Sequence, residues 1–396
     1  MNSFPANCPN WLSTKISENG GILSFHDFMH IVLNDPIHGY YGSGKANIGK
    51  NGDFVTSPSL SNDFASMLGS QIEDWLIQIQ KKLNSQKKMT VLEFGSGNGC
   101  LLAGIIEYLS IKESKVLKNI SFKIVELNKG MIEKQKKNLD KFLKEKVDIS
   151  WINFDDIDSD SINGIVIANE VLDAFAVERI QYKNGVIYQQ GVELNKINQT
   201  LNFKNMQLPE KLNKFIDEMR KELGILIPPK NAPEEWTTEL NINNLNWLDN
   251  ISKKIDNGIL LIIDYALDAK RYYSAQRNEG TILAYKNQRV FNELLVNPGD
   301  YDLTCHICSD ILIYQANSVG LETIGLTKQG EALLLLGLAK RLFDIQKNLK
   351  NNLSLALLKR EAILRLVDPI CLGNFKWFIF KKSNQKEFLI RTKCIN

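Results

Sequence analysis

The sequence is short of the residues that build metal clusters, disulfide scaffolds and nucleic-acid footprints. It holds 4 histidines and 6 cysteines in 396 residues. The cysteines stand at 8, 100, 305, 308, 371 and 394, a scatter that forms no disulfide framework and points to a reducing compartment. Cys305-x-x-Cys308 has no second pair to complete a zinc site. His26 and His30 are four apart on an expected helix but lack a third ligand, so no metal is expected. The net charge is only +3, with Lys+Arg 48 against Asp+Glu 45. There is no strong nucleic-acid signal, because the Lys-rich run at 134–146 reads as a solvated helix face. Long apolar runs are also missing. The longest aliphatic stretch, Ala332 to Leu338, falls far below the ~20 residues that span a bilayer, so no membrane span is expected. Residues 1–21 contain no arginine and no extended apolar segment. Neither a secretory nor a mitochondrial leader is therefore expected, and the expected location is cytoplasmic.

What is present is a folded composition, 44% hydrophobic and 23% charged, in a chain longer than one ordinary domain. It is organised around Val91-Leu92-Glu93-Phe94-Gly95-Ser96-Gly97-Asn98-Gly99, followed by the apolar helix Cys100 to Leu109. The pattern is a buried strand, a tight loop and a helix start. Glycines at alternate positions, Gly95, Gly97 and Gly99, let backbone N–H groups approach a ligand where a Cβ would collide. The dehydrogenase spacing G-x-G-x-x-G admits a pyrophosphate. Here an acid precedes G-x-G-x-G, which suits a ligand with a cationic amino group and no phosphate. The stretch resembles motif I of class I S-adenosylmethionine (SAM) methyltransferases.

The order strand, helix, strand, helix from Val91 onward implies a parallel sheet with right-handed crossovers. A second strand over 121–127 ends in Glu126, placed to accept the ribose hydroxyls of an adenosyl group. A third over 149–154 is closed by Asp155, where the backbone or the acid meets an adenine edge. The apolar strand 164–168 delivers Asn169-Glu170-Val171-Leu172-Asp173 to the carboxyl edge, where open α/β sheets bind their ligands. Further strands are expected over 258–264, 320–326 and 375–381. The fold class expected is α/β, a class I methyltransferase Rossmann-like sheet, mostly parallel with an antiparallel last strand, carrying an inserted lobe and an N-terminal helical extension. The expected divisions are an extension with a glycine-rich loop (1–85), the first part of the core (86–178), an inserted substrate lobe (179–257) and the rest of the core with C-terminal helices (258–396). In the first of these, a helix is expected over 22–34, and the loop that contains Asp53, Thr56 and Ser57 is read as a binding loop.

Several separated blocks together resemble the family of SAM-dependent protein arginine methyltransferases typified by the mitochondrial complex I assembly methyltransferase (MidA-like). These are Asn34-Asp35-Pro36 with Gly39-Tyr40-Tyr41, Gly52-Asp53-Phe54-Val55-Thr56-Ser57-Pro58, motif I, Asn169 to Phe175, Ile263-Asp264-Tyr265, and Gly280-Thr281 with Pro298-Gly299 and Asp302-Leu303-Thr304. The resemblance implies SAM as cofactor, held by Glu93, Gly95, Gly97, Gly99, Glu126, Asp155, Asp53, Thr56 and Ser57. It implies Glu170, Asp173 and Asn169 as catalytic residues. It also implies a protein substrate, with a respiratory or NDH-type complex subunit as candidate partner and a homodimer as a compatible assembly. The chain departs from the family pattern at Ala266, where glycine is usual and the turn is expected to tighten, at Cys305 and Cys308, and at Ala176. The same residues leave two alternatives open: a catalytically silent SAM-binding assembly factor, and a small-molecule or RNA methyltransferase.

Overall fold

The structure is a computed structural model that describes residues 8–49, 52–83, 88–126, 128–347, 353–385 and 388–395. Lys50 and Asn51 of the glycine-rich loop, and Leu127 at the end of the expected second strand, lie outside the described residues. The chain groups into two compact units, one of Met1–Asn47, Leu172–Trp247 and Ala266–Gln315, the other of Ile48–Val171, Leu248–Tyr265 and Ala316–Asn396.

The second unit is built on a seven-stranded sheet: β1 (Met89–Phe94), β2 (Ile120–Val125), β3 (Ile149–Ile152), β4 (Ile162–Asn169), β5 (Ile255–Asp264), β6 (Glu322–Lys328) and β7 (Lys376–Ser383). Their spatial order is β6-β7-β5-β4-β1-β2-β3. The chain starts in the middle, at β1, runs out to one edge through β2 and β3, then returns to β4 and works towards the other edge. β1 pairs in parallel with β2 and β4, and β4 with β5. β7 slots between β5 and β6 and runs antiparallel to both. The sheet is thus parallel except for the last strand, as expected.

β1 is buried along its whole length, and β5 carries the unbroken apolar run 259–263, as strands covered on both faces should. Helix α1 (Asn62–Leu83) lays Phe64, Leu68, Ile72, Trp75 and Ile79 into the core. Helix α2 (Cys100–Ile111) adds Leu102, Ile105 and Ile106 to the same cluster. Burying each such side chain contributes about 1.5–3 kcal/mol. Between β1 and β5, backbone crowding excludes a side chain at Gly164. A Cβ there would lie 2.0 Å from the Thr90 carbonyl oxygen.

In the first unit, Glu178–Lys183 and Val186–Asn195 form an antiparallel hairpin. Asn184 and Gly185 both have positive φ, 52° and 77°, the backbone demanded by a two-residue turn that matches strand twist. Thr200–Met206 and Thr237–Leu240 extend this sheet. The N-terminal segment differs from expectation. Ile22–Ser24 is a strand paired with Val186–Asn195, and the helix covers only Phe25–Asn34. Ser24 is its cap, accepting from the Asp27 N–H at 3.0 Å, so the helix was expected correctly from 25 onward while 22–24 was misassigned. That strand is why the segment up to 47 groups with 172–247, where the sequence divisions at 85 and 178 separate the two.

Candidate cofactor site

In the second unit the carboxyl ends of β1, β2, β3 and β4 carry the expected polar groups. Glu93, the penultimate residue of β1, is only 3% exposed. Its carboxylate accepts from the Ser96 hydroxyl at 2.7 Å. Burial pushes its pKa up from 4.5 to about 7, against the opposing pull of the Ser96 hydroxyl and the Leu102 N–H. A desolvated carboxyl group of this kind becomes anionic most readily when a cation arrives beside it.

Beyond Glu93, Gly95, Gly97 and Gly99 have φ of 56°, 52° and 83°. Three left-handed residues in five coil the backbone tightly, and each resists a side chain. A Cβ at Gly95 would sit 2.9 Å from a Val171 methyl, and one at Gly97 would sit 3.0 Å from Ile48 Cδ1. Gly99 then caps α2, whose first turn is tied to the loop: the Cys100 N–H donates to Asn98 Oδ1 at 3.1 Å and the Leu102 N–H to the Glu93 carboxylate.

Glu126 follows β2. Its Oε1 accepts from the Asn128 N–H at 3.0 Å and its Oε2 from Gln135 Nε2 at 3.1 Å. Gln135 belongs to helix α3 (Lys129–Lys144), whose buried stripe is Met131, Gln135, Leu139 and Phe142. The sequence reading missed it. Its signal was a lone amide at an apolar position of an otherwise lysine-rich helix. Asp155 sits in the short turn Phe154–Asp156 after β3 and is exposed, while its N–H donates to Asn153 Oδ1 at 3.2 Å. Beside it the Phe154 ring meets Phe94 edge-on at 5.0 Å and lies under the Lys254 ammonium at 4.8 Å.

β4 ends in Asn169, and Glu170 follows with φ of 54°. A left-handed glutamate is a strained residue, costing about 1–3 kcal/mol that its surroundings must offset. Its N–H is held by the Ile263 carbonyl at 2.8 Å. Its Oε1 accepts from Asn169 Nδ2 at 3.2 Å and from the Ser57 N–H at 3.2 Å. The loop block is thereby tied to the strand end. Thr56 caps the turn Ser57–Leu60 through a reciprocal box with Ser59, and the Ser57 hydroxyl donates to Gln329 Oε1 at 3.1 Å. Asp53 is buried in the same segment. Asn169 is 8% exposed, and its Oδ1 has no hydrogen-bond partner among the described residues. A buried acceptor of that kind favours a ligand that donates to it.

Asp173 is not part of this unit. It lies in the first one, where its Oδ2 accepts from the Thr304 hydroxyl at 2.7 Å and its carbonyl from the Cys305 N–H at 3.0 Å. Burial lifts its carboxyl group above the ordinary aspartate range. Tyr41 stands nearby. Its phenol is raised by burial and by the charges of Asp302 and Asp173. The departures from the family pattern also belong to the first unit. Ala266 is paired with Ile307 in a short parallel bridge, without positive φ. Cys305 and Cys308 are buried thiols in no disulfide. Among the described residues no group of three or more His, Cys, Asp or Glu could hold a metal ion, and no helix is long and apolar enough to cross a membrane.

A central glycine loop behind a buried acid, on a sheet of order β6-β7-β5-β4-β1-β2-β3, defines a SAM-dependent methyltransferase of the Rossmann-like class. The family described as "Putative S-adenosyl-L-methionine-dependent methyltransferase" matches residues 71–327, and the chain belongs to it. Similar proteins include the mitochondrial protein arginine methyltransferase NDUFAF7 homolog of Caenorhabditis elegans, 24% identical over 97% of this chain and 88% of that protein. The human mitochondrial protein arginine methyltransferase NDUFAF7 is 33% identical over 34% of this chain and 29% of its own length. A crystal structure from Burkholderia thailandensis with S-adenosyl-homocysteine bound has the same fold. Its TM-score is 0.82 at 24% identity, covering 99% of this chain and 97% of that one. The cofactor is SAM, and the coiled glycine loop with its buried acid fits it.

Proposed function

We propose that the protein transfers the methyl group of SAM to an arginine guanidinium on a partner protein. The observation that carries the reading is Glu170, a carboxylate held in a strained left-handed conformation at the end of β4, on the edge that bears the glycine loop. Bound SAM supplies an electrophilic methyl group on a sulfonium. Every other requirement falls on the chain. Glu93 meets the α-ammonium of the cofactor, the loop Gly95 to Gly99 lets it lie against backbone that no side chain crowds, Glu126 accepts its ribose hydroxyls, and Asp155 or its backbone meets the adenine edge. Asp53, Thr56 and Ser57 form the segment that covers the cofactor. An arginine acceptor is cationic and resists deprotonation, so a carboxylate must orient it and draw off its proton as the new bond forms. Glu170 is assigned that role, with Asn169 setting its carboxylate. Asp173, whose raised pKa suits holding a proton, is a separate candidate for the proton's destination. Support for a protein acceptor comes from the names of the relatives, and a respiratory or NDH-type complex subunit is the partner that the family resemblance suggests.

Incubation of the purified protein with labelled SAM and host lysate should mark a discrete protein band, and digestion should place the label on arginine. Label on RNA or on small molecules alone would refute the assignment. A second reading, a SAM-binding assembly factor without chemistry, draws on the same Glu170, because its Oε1 already accepts from Ser57 and Asn169. Recovery of an unmodified partner in a stable complex, with SAM bound and no transfer, would favour it.

A further inference from the structure

Gln135 is fully buried and its side-chain amide is completely used. Trp151, on β3, donates its indole N–H to Gln135 Oε1 at 2.8 Å. The amide nitrogen donates to the Gly97 carbonyl at 3.0 Å and to Glu126 Oε2 at 3.1 Å. An indole can only donate and a carbonyl can only accept, so this arrangement permits one orientation of the amide. Three strand ends meet on one side chain: the glycine loop after β1, the acid after β2 and the tryptophan of β3. The backbone of Gln135 also packs on the loop, since a Cβ at Gly99 would lie 3.3 Å from its Cα.

We propose that Gln135 is a positioning residue for the cofactor. It fixes the carboxylate of Glu126 relative to the glycine loop, so that the ribose hydroxyls and the amino-acid end of SAM are held at one set distance. The inference rests on the assignment of Glu126 to the ribose. Asn128 N–H donates to Glu126 Oε1 and Gln135 to Oε2, and a carboxylate can accept several donors at once, as two ribose hydroxyls require. With Gln135 gone, Oε2 loses its anchor and the carboxylate rotates about its last bond. With Trp151 changed, the amide itself is free to turn. The contact with the ligand remains that of Glu126, and Gln135 acts through it.

The test measures binding of S-adenosyl-homocysteine and of its 2′-deoxyadenosyl analogue by calorimetry, without turnover, for the wild type, Gln135→Leu, Trp151→Phe and Glu126→Ala. The wild type should prefer the ribose form. Gln135→Leu should weaken binding of S-adenosyl-homocysteine by about tenfold to a hundredfold, the range of a charge-assisted hydrogen bond, while the deoxy analogue loses much less, so that the preference collapses. Trp151→Phe, which keeps an aromatic ring and removes only the donor, should narrow the preference in the same direction and covers the case in which Gln135→Leu fails to fold. Loss of the preference in Glu126→Ala but not in the Gln135 and Trp151 variants overturns the role of Gln135 and leaves Glu126 standing. An unchanged preference in Glu126→Ala overturns the ribose assignment and the inference with it.

Discussion

Glu93 offers a test in which stability and binding should move in opposite directions. Its pKa in the folded chain is about 7, against 4.5 for an exposed glutamate. A raised carboxyl pKa means that the folded state holds its proton more tightly than the unfolded chain. Its contribution to stability is therefore complete below about pH 4.5 and lost as pH rises through about 7. At 1.36 kcal/mol per pKa unit, the ionised group disfavours the cofactor-free fold by about 3 kcal/mol at pH 8. Glu93→Gln removes the charge and keeps an oxygen for the Ser96 hydroxyl. The cofactor-free variant should then be more stable than the wild type at pH 8, by up to about 3 kcal/mol, with the difference shrinking towards pH 5. Binding should change the other way. A cationic amino group beside Glu93 recovers the charge that the glutamine lacks, so the variant should bind S-adenosyl-homocysteine about tenfold to a hundredfold more weakly at pH 8. Wild-type affinity should decline by up to about tenfold per unit as pH falls below 7, where protonation of Glu93 competes with the ligand. Chemical denaturation and calorimetry between pH 5 and 9 measure both quantities on the same samples. A variant that is destabilised at pH 8, or that binds with wild-type affinity and pH dependence, would refute the assignment of a buried carboxylate to the amino group.

Other outcomes follow from the same geometry. Gly97→Arg should abolish binding of S-adenosyl-homocysteine in calorimetry, because the left-handed backbone and Ile48 leave no room at the loop for a side chain. Glu170→Gln should retain cofactor binding and reduce labelled transfer by about 10²–10⁴-fold if the carboxylate takes part in proton removal; normal transfer would show that its task is only to hold Ser57. Gly164→Ala, remote from the cofactor edge, should destabilise the sheet by about 2–4 kcal/mol in denaturant titrations, since its Cβ would collide with the backbone carbonyl of Thr90.

Much of the second unit was legible because its signals are local. The apolar run 259–263, the acid before the glycines and the acid after β2 each mark a strand end within a few residues. The identity of the group in contact with Glu126 was not legible. Gln135 looks like one more polar residue on a lysine-rich helix until the fold shows which face is buried. In the first unit, Ile22–Ser24 is too short for any periodicity, and its pairing with Gly191–Glu193 is set by residues far along the chain. Thr200–Met206 was missed for a related reason. Outside its first two positions its side chains are exposed or half-buried, so its alternation carries little hydrophobic contrast. Glu170 and Asp173 are three residues apart in sequence, and that spacing did not reveal that the unit boundary falls between them at Val171 and Leu172.

Each compact unit is assembled from three separate stretches of the chain. During synthesis, the strand beginning at Ile22 emerges long before Glu193 exists to pair with it, and the sheet around β5 stays incomplete until β7 is released. Low-sequence-separation contacts are thus a minority at the points that close both units, a topology that slows folding. A nascent chain of this protein would expose unpaired strand edges for much of its translation, a state prone to aggregation. For the same reason neither unit can be expressed alone by trimming one end of the gene.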